Sequence, residues 1–353
     1  MKPAYAAKLV RDLRNVIAIN ANRMRGREFI PAVRDTICIE TSSLCNLDCR
    51  FCAYPKKQSP KVTMKQELFE SCVEQAIGMG YRRVDLTPCT GDVFMDRGLF
   101  RKLQFLDAHP EIRDYGFHTN FTIPDRGDIA RLLQFDKLKQ LTISVYGCDP
   151  ASFKAITLST DKVFQRLVDN LEYLSGQGDL RKFELQLSVH PGRRSLRGVR
   201  TEMTRLVERF TKGGIPVKIH KGVYNNWGGY ISQDDVSGLA MQVVPPTAIY
   251  KNGACVRLMT AVQIMATGIV NGCACRDVDA TLRLGDINET PLHDIISSRN
   301  PIYMNLIDAQ QRRDFPPVCR SCDFYSSIYH RGSGYRKNGV ALESLAQFKA
   351  KLT

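Results

Sequence analysis

Cys45, Cys49 and Cys52 stand in the run Cys45-Asn46-Leu47-Asp48-Cys49-Arg50-Phe51-Cys52, and their type and spacing limit the chemistry of this chain more than any other feature. Three thiolates can hold three irons of a cubane cluster and leave the fourth iron without a protein ligand. An open iron on a low-potential cluster is a place where a small molecule can bind and accept an electron. A zinc site fits the spacing poorly. Zinc usually takes four ligands in paired C-x2-C or Cys/His groups, and the next cysteine downstream is Cys72.

The pattern C-x3-C-x2-C, with the aromatic Phe51 just before the last cysteine, resembles the signature of the radical SAM superfamily. The resemblance implies S-adenosylmethionine (SAM) on the open iron of a [4Fe-4S] cluster, reductive cleavage to a 5'-deoxyadenosyl radical, and abstraction of a substrate hydrogen. It also implies that Phe51 lies near the adenine. Thr90-Gly91-Asp92 stands where the family has a Gly-Gly-Glu segment holding the SAM amino group, although the first Gly and the Glu are both changed here. Read alone, Gly91 and Asp92 form an ordinary turn. Thr119-Asn120 is similar to a Thr-Asn pair often found at a strand end in the family, and Ser144 to a strand serine that contacts SAM. Such side chains are also common at strand ends for local hydrogen bonding.

A second group of cysteines begins at Cys255 and continues with Gly268, Cys273, Cys275 and the pair Cys319-x2-Cys322. Four thiolates close a cluster completely, and a C-x-C plus a C-x2-C would satisfy zinc equally well. The group resembles the SPASM or "twitch" extension that follows the barrel in many radical SAM enzymes. With no cysteine after Cys322, the resemblance is to the shorter twitch type, with one auxiliary iron-sulfur cluster on Cys255, Cys273, Cys319 and Cys322. Cys275 is an alternative to Cys273.

Short β-rich runs that alternate with helical segments six times must position these groups. The strands are predicted at residues 36–40, 82–87, 115–119, 141–146, 183–189 and 217–220. A helix is predicted over 64–79, with a capping box of Thr63 and Gln66 and a buried stripe of Leu68, Cys72, Val73, Ala76 and Ile77. Six strand-helix units imply an α/β fold, either a doubly wound sheet or a partial barrel, with ligands at the carboxyl ends of the strands. The family resemblance selects a partial (β/α)6 TIM-like barrel with a small C-terminal twitch-type iron-sulfur extension. The expected organisation is a helical lead-in over 1–34, the barrel over 35–240, the auxiliary-cluster domain over 241–330 and a tail helix over 331–353.

At 353 residues, with 43% hydrophobic and 24% charged, the chain can bury an ample core. Its twelve cysteines are clustered at metal-ligand spacings and no signal peptide is apparent, which points to a reducing, cytoplasmic compartment. No apolar run is long enough to span a membrane. Ala6, Leu9, Val10, Leu13, Val16 and Ile17 recur at helical spacing and predict an amphipathic helix packed on the domain that follows. The net charge of +14 suits an anionic substrate, a nucleic acid, or an acidic electron donor such as a flavodoxin or ferredoxin. Arg193, Arg194, Arg197, Arg200, Arg205 and Arg209 are predicted to share a helix with Val199, Met203, Leu206, Val207 and Phe210. They read as its solvated face, without the interleaved aromatics of a nucleic-acid surface.

Three functions follow. The first is hydrogen abstraction from a small polar substrate, sugar- or cyclitol-like, with net oxidation, as in the twitch-bearing aminocyclitol dehydrogenases of the family; the basic charge suits a phosphorylated version. The second is modification of a peptide substrate by crosslink, thioether or epimerisation, for which Cys89 or Cys148 would be the hydrogen donor. The third is a non-catalytic iron-sulfur or zinc protein. Tyr224-Asn225-Asn226-Trp227-Gly228-Gly229, with the only tryptophan, reads equally as pocket wall and as linker turn.

Overall fold

The computed structural model describes residues 3–178, 180–190, 192, 196–331 and 340–352. Its strands in chain order are β1 (Ile30–Pro31), β2 (Thr36–Ile39), β3 (Arg83–Asp85), β4 (Asp114–Thr119), β5 (Leu138–Tyr146), β6 (Glu184–His190), β7 (Val217–Ile219), β8 (Val223–Tyr224), β9 (Gln242–Val243), β10 (Gln263–Ile264), β11 (Ile269–Asn271), β12 (Arg283–Asp286) and β13 (Leu342–Glu343). The six runs with β character all become strands, β2 to β7. They pair in parallel in sequence order, with helices between them. β5 begins earlier than expected, because Lys139 and Gln140 are polar and hide its start from hydrophobic pattern.

The sheet does not close. β7 is one edge, and on the other side β2 is continued by β10 in parallel, then by β11 and β12 antiparallel. Strands of the cysteine-rich C-terminal segment therefore extend the barrel sheet itself. Alternation along the strands separates two faces. Val84, Tyr115, Phe117, Leu141, Ile143, Val145, Leu185, Leu187 and Val189 are buried on one. The helix Asp161–Ser175 supplies Phe164, Leu167, Val168 and Leu171 to the same core. The opposite, inner face carries Asp85, His118, Gln140, Thr142, Ser144, Tyr146, Gln186, Ser188, His190 and Lys218, a polar wall along an open lumen.

Three local expectations are corrected. The first helix after the cysteine loop runs Gln66–Gly78 with Lys65 as an extended N-cap and no capping box. Thr63 instead bridges to Ser42, and the Met64 amide donates to the Thr41 carbonyl, so this segment is tied to the sheet before the helix starts. The basic helix is shorter than its periodicity suggests, Glu202–Lys212, because Thr201 and Thr204 form a capping box there. Arg197, Val199 and Arg200 precede it, and Arg193 and Arg194 lie outside the described residues. Arg205 and Arg209 do occupy its solvent face, over a buried Met203, Leu206, Val207 and Phe210.

The amino-terminal helix Pro3–Met24 packs only in part: Val16 is half-buried and Ile19 is buried in the core. Val10, Leu13 and Ile17 are exposed. Its polar contacts run to the distant C-terminal segment: Asn22 donates to the Tyr329 carbonyl, and Arg23 donates to Asn252 and to the Gln311 carbonyl. In the tail, β13 pairs with β1, and a helix follows at Leu345–Ala350. Among the described residues no helix is long and apolar enough to cross a membrane.

Candidate active site

The loop that carries Cys45, Cys49 and Cys52 leaves the carboxyl end of β2 and has almost no regular structure of its own. Backbone hydrogen bonds fix it from outside. The Asp48 and Arg50 amides donate to the carbonyls of Thr157 (3.1 Å) and Ile156 (2.9 Å), at the end of the helix Pro150–Thr157. The Asp92 amide donates to the Leu44 carbonyl at 2.7 Å. The Arg50 guanidinium donates to the carbonyls of Asp235 and Ser237. The Cys52 amide turns back to the Cys49 carbonyl at 3.0 Å.

The three thiols line one open cavity. Its wall also contains Phe51, Gly91, Asp92, Thr119, Asn120 and Ser144, so the structure brings every residue of the SAM resemblance to one place. Burial pushes Cys45 up to about 12, with help from the Asp92 carboxylate, pushes Cys52 up to about 11, and holds Cys49 well above the ordinary thiol range. Buried thiols of this kind suit metal ligation, because a bound metal deprotonates them. Polar donors are already aimed at the sulfurs, the Tyr54 amide at Cys52 (3.5 Å) and the Asn120 amide group at Cys45 (3.8 Å). Thr90 Oγ1 is buried on the same wall without a partner. These features fit a cluster and a polar ligand on it.

Gly91 and Asp92 divide the work at the end of the second barrel strand. Gly91 has φ +137°, and a Cβ there would sit 2.7 Å from the Ser42 carbonyl oxygen, so only glycine lets this turn approach the cysteine loop so closely. The buried Asp92 carboxylate accepts from Thr119 Oγ1 (2.9 Å), the Asn120 amide (2.7 Å) and the Phe94 amide (3.0 Å). Burial raises it to about 6 against these donors. Its oxygens hold Thr119 and Asn120 in position. Asn120 in turn donates to Asn46 Oδ1 at 2.9 Å, inside the cysteine loop.

Of the two candidate hydrogen donors, Cys89 lines the cavity and is buried, with its amide on Glu40 Oε2 at 3.2 Å. Cys148 is buried at the start of the helix Pro150–Thr157, its amide on Ser152 Oγ, and does not line that wall. Residues that sequence reasoning missed are Thr87, His118 and Tyr146. Strand alternation held the signal: His118 sits two before Asn120, and Tyr146 two after Ser144 on the same inward face.

The second thiol group forms a separate cavity lined by Cys255, Cys273, Cys275, Cys319 and Cys322. Sulfur-directed donors recur there: the Phe324 amide to Cys322 at 3.2 Å, Gln310 Nε2 to Cys319 at 3.2 Å and the Cys275 amide to Cys273 at 3.4 Å. Burial raises Cys255 to about 11 and Cys322 to about 12, and each also feels the neighbouring Cys273. Cys275 is lowered, first by a hydrogen bond from the Cys273 thiol, and it faces Arg257, Arg276 and Cys38.

Trp227 connects the two cavities, and the segment around it is at once pocket wall and linker. Trp227 lines the first cavity, and its indole N–H donates to the Phe51 carbonyl at 2.8 Å. The Arg276 guanidinium lies 5.3 Å from the Trp227 ring centroid and pairs with the buried Asp323 at 3.2 Å, next to Cys322. Asn226 donates to the Ser321 carbonyl. Trp227 itself has φ +52°, costly for a large side chain and held by these contacts.

A radical SAM superfamily model matches residues 39–182, and a SPASM iron-sulfur cluster-binding domain model matches residues 255–323. The chain belongs to the radical SAM superfamily, as an enzyme with a SPASM domain. Its cofactors are SAM, a [4Fe-4S] cluster and auxiliary iron-sulfur chemistry in the C-terminal domain. Similar solved structures include BtrN in complex with AdoMet and 2-DOIA, at 13% identity and TM-score 0.56, covering 83% of this chain and 94% of that one. Streptococcus suis SuiB bound to the precursor peptide SuiA is similar at 14% identity and TM-score 0.57, covering 90% and 76%. Native anSMEcpe with bound AdoMet and Cp18Cys peptide matches at 14% identity and TM-score 0.51, covering 90% and 95%. At these identities the likeness is one of fold. No curated protein sequence matches.

Two predictions follow from this geometry. Asp92→Asn replaces an acceptor of three hydrogen bonds and should cost about 1–3 kcal/mol of stability and weaken SAM binding, read by thermal unfolding and by SAM titration of the reconstituted protein. An unchanged SAM affinity would remove Asp92 from the positioning of Asn120. Trp227→Phe keeps an aromatic ring but loses the indole N–H. It should shift the electron paramagnetic resonance spectrum of the SAM-bound cluster, because the Phe51 carbonyl loses its donor.

Proposed function

We propose that this enzyme abstracts a hydrogen from a small polar substrate, a sugar- or cyclitol-like molecule, with net oxidation. The observation that carries the reading is the polar inner wall of β3 to β7, which runs directly into the cavity of Cys45, Cys49 and Cys52 through Thr87, His118, Ser144 and Tyr146. A wall of hydroxyl, amide and imidazole groups suits a ligand rich in hydroxyls.

Bound SAM and the cluster on Cys45, Cys49 and Cys52 would supply a 5'-deoxyadenosyl radical as hydrogen acceptor, and the auxiliary cluster an acceptor for the second electron. The residues of the chain then divide the remaining tasks. Phe51, packed against Tyr146 (5.3 Å), His190 (5.4 Å) and Tyr224 (5.2 Å), walls the cavity and excludes water from the adenine side. Ser144, Thr119 and Asn120 line the face where SAM would be held. In the auxiliary cavity burial first, and then the neighbouring Cys273 among other groups, raises Cys255, Cys319 and Cys322, and Cys275 lines the same cavity. Cys255, Cys273, Cys319 and Cys322 are proposed as the ligands of a single cluster, with Cys275 as the alternative to Cys273.

A peptide substrate is the second reading, and Cys89 in the cavity wall is the observation in its favour, as a hydrogen donor for epimerisation. An acidic flavodoxin or ferredoxin is proposed as the electron donor, on the net charge of +14, and a reducing cytoplasmic compartment on the free thiols.

Incubation of the reduced, reconstituted enzyme with SAM and a panel of sugar and cyclitol phosphates should release 5'-deoxyadenosine together with an oxidised product. Oxidation of a precursor peptide and of no panel member would transfer the assignment to the second reading. In the same assay Cys45→Ala should abolish SAM cleavage, while Cys255→Ala should keep uncoupled 5'-deoxyadenosine release and lose product. Full product from Cys255→Ala would take the auxiliary cluster out of the oxidation.

A further inference from the structure

We propose that Lys218 and His220 form a recognition site for an oxyanion of the substrate, a phosphate or carboxylate group, at the open edge of the lumen. The inference rests on the small-substrate reading and narrows it to an anionic molecule.

Register places the site. Ser144, Ser188 and Lys218 stand side by side across β5, β6 and β7, with their side chains on the inner face. Ser144 lines the SAM cavity, so Lys218 is in the same layer two strand spacings away, roughly 10 Å between Cα atoms. That distance is within reach of a small ring carrying one oxyanion. One layer towards the mouth lie Tyr146 and His190, followed by His220. One layer below lie His118, Thr142 and Gln186.

The groups in this patch are only partly satisfied by one another. The His190 and His220 rings stack at 4.2 Å and 18°, and Ser188 Oγ meets both, 3.3 Å from His190 Nε2 and 2.9 Å from His220 Nε2. His190 is 8% exposed, yet its Nδ1 is buried without a partner, and Thr142 Oγ1 on the same face is likewise unpaired. Leaving such groups unpaired is costly unless a ligand completes them. Among the described residues, the salt bridges include none to Lys218, which is exposed to the lumen.

Electrostatics match. His190 is held down to about 3, first by burial, then by His220 and Lys218. His220 and His118 are also lowered by burial and by Lys218, and Asp85 opposes the shift at His118. At neutral pH the wall is thus one ammonium among neutral imidazoles, with Asp85 on the far side of His118. Neutral imidazole N–H groups and one ammonium can bind an oxyanion without a cluster of repelling cations.

A lysine on an edge strand can also be a mere guard against strand pairing, and the experiment separates the two roles. The anaerobically reconstituted, SAM-loaded full chain is dialysed to equilibrium against radiolabelled inorganic phosphate and, in parallel, radiolabelled acetate. The wild-type protein should bind one of them, phosphate for a phosphorylated substrate or acetate for a carboxylate. Lys218→Met should weaken that binding about tenfold, the loss of one charge-assisted contact, with Lys218→Arg restoring it and His220→Phe giving an intermediate loss. Thermal unfolding checks that each variant is folded. Binding indifferent to Lys218→Met, or no saturable binding of either anion by the wild type, overturns the proposal. No turnover enters the measurement, so its failure is distinct from that of the small-substrate reading, which fails when only a peptide is oxidised.

Discussion

The Cys45–Cys52 loop has no hydrogen-bonded ladder of its own, so three sulfurs can converge only if the surrounding fold imposes the shape of the loop. The donors and acceptors that do so come from four places in the chain: the carbonyls of Ile156 and Thr157, the Asp92 turn, Asp235 and Ser237, and the indole of Trp227. Each is remote in sequence. The parallel sheet brings them together because its successive strands all end on the same side, where their loops meet.

The same sheet sets the character of the lumen. Parallel sheets in compact α/β proteins are usually apolar on both faces. Here one face is covered by helices and is apolar, while the inner face carries serine, threonine, glutamine, histidine and lysine side chains. Such a face is tolerable because the sheet stays open and its polar groups can meet a ligand or solvent. An apolar filling of the lumen would close it, as in a complete barrel. Openness and polarity are therefore one property.

The auxiliary thiols are joined to the first site by two mechanically different links. β10 pairs in parallel with β2, the strand that leads into the cysteine loop, so the extension continues the sheet that holds the cluster loop. Trp227 adds a side-chain link, between the Phe51 carbonyl and the Arg276–Asp323 pair beside Cys322. With both in place the two sulfur sets share one continuous frame.

The cysteine spacings, the six strand-helix alternations and the inward residues Gly91, Asp92, Thr119, Asn120 and Ser144 were legible in the sequence. Ligand spacing and hydrophobic period are local properties that a short window records. Less was legible where long-range contacts override local preference. Thr63 could have capped a helix but is bridged to Ser42, Val10, Leu13 and Ile17 stay exposed while Ile19 is buried and Asn22 and Arg23 make polar contacts, and Cys148 sits at a helix start and does not line the cavity. Tertiary structure alone decided that all five C-terminal thiols line one cavity, and that Trp227 lines the first cavity while its ring lies against Arg276. It also decided that Lys218 lies in one row with Ser144. Spacing along the chain says which groups can bind metal, but only strand register and packing say which groups face one another.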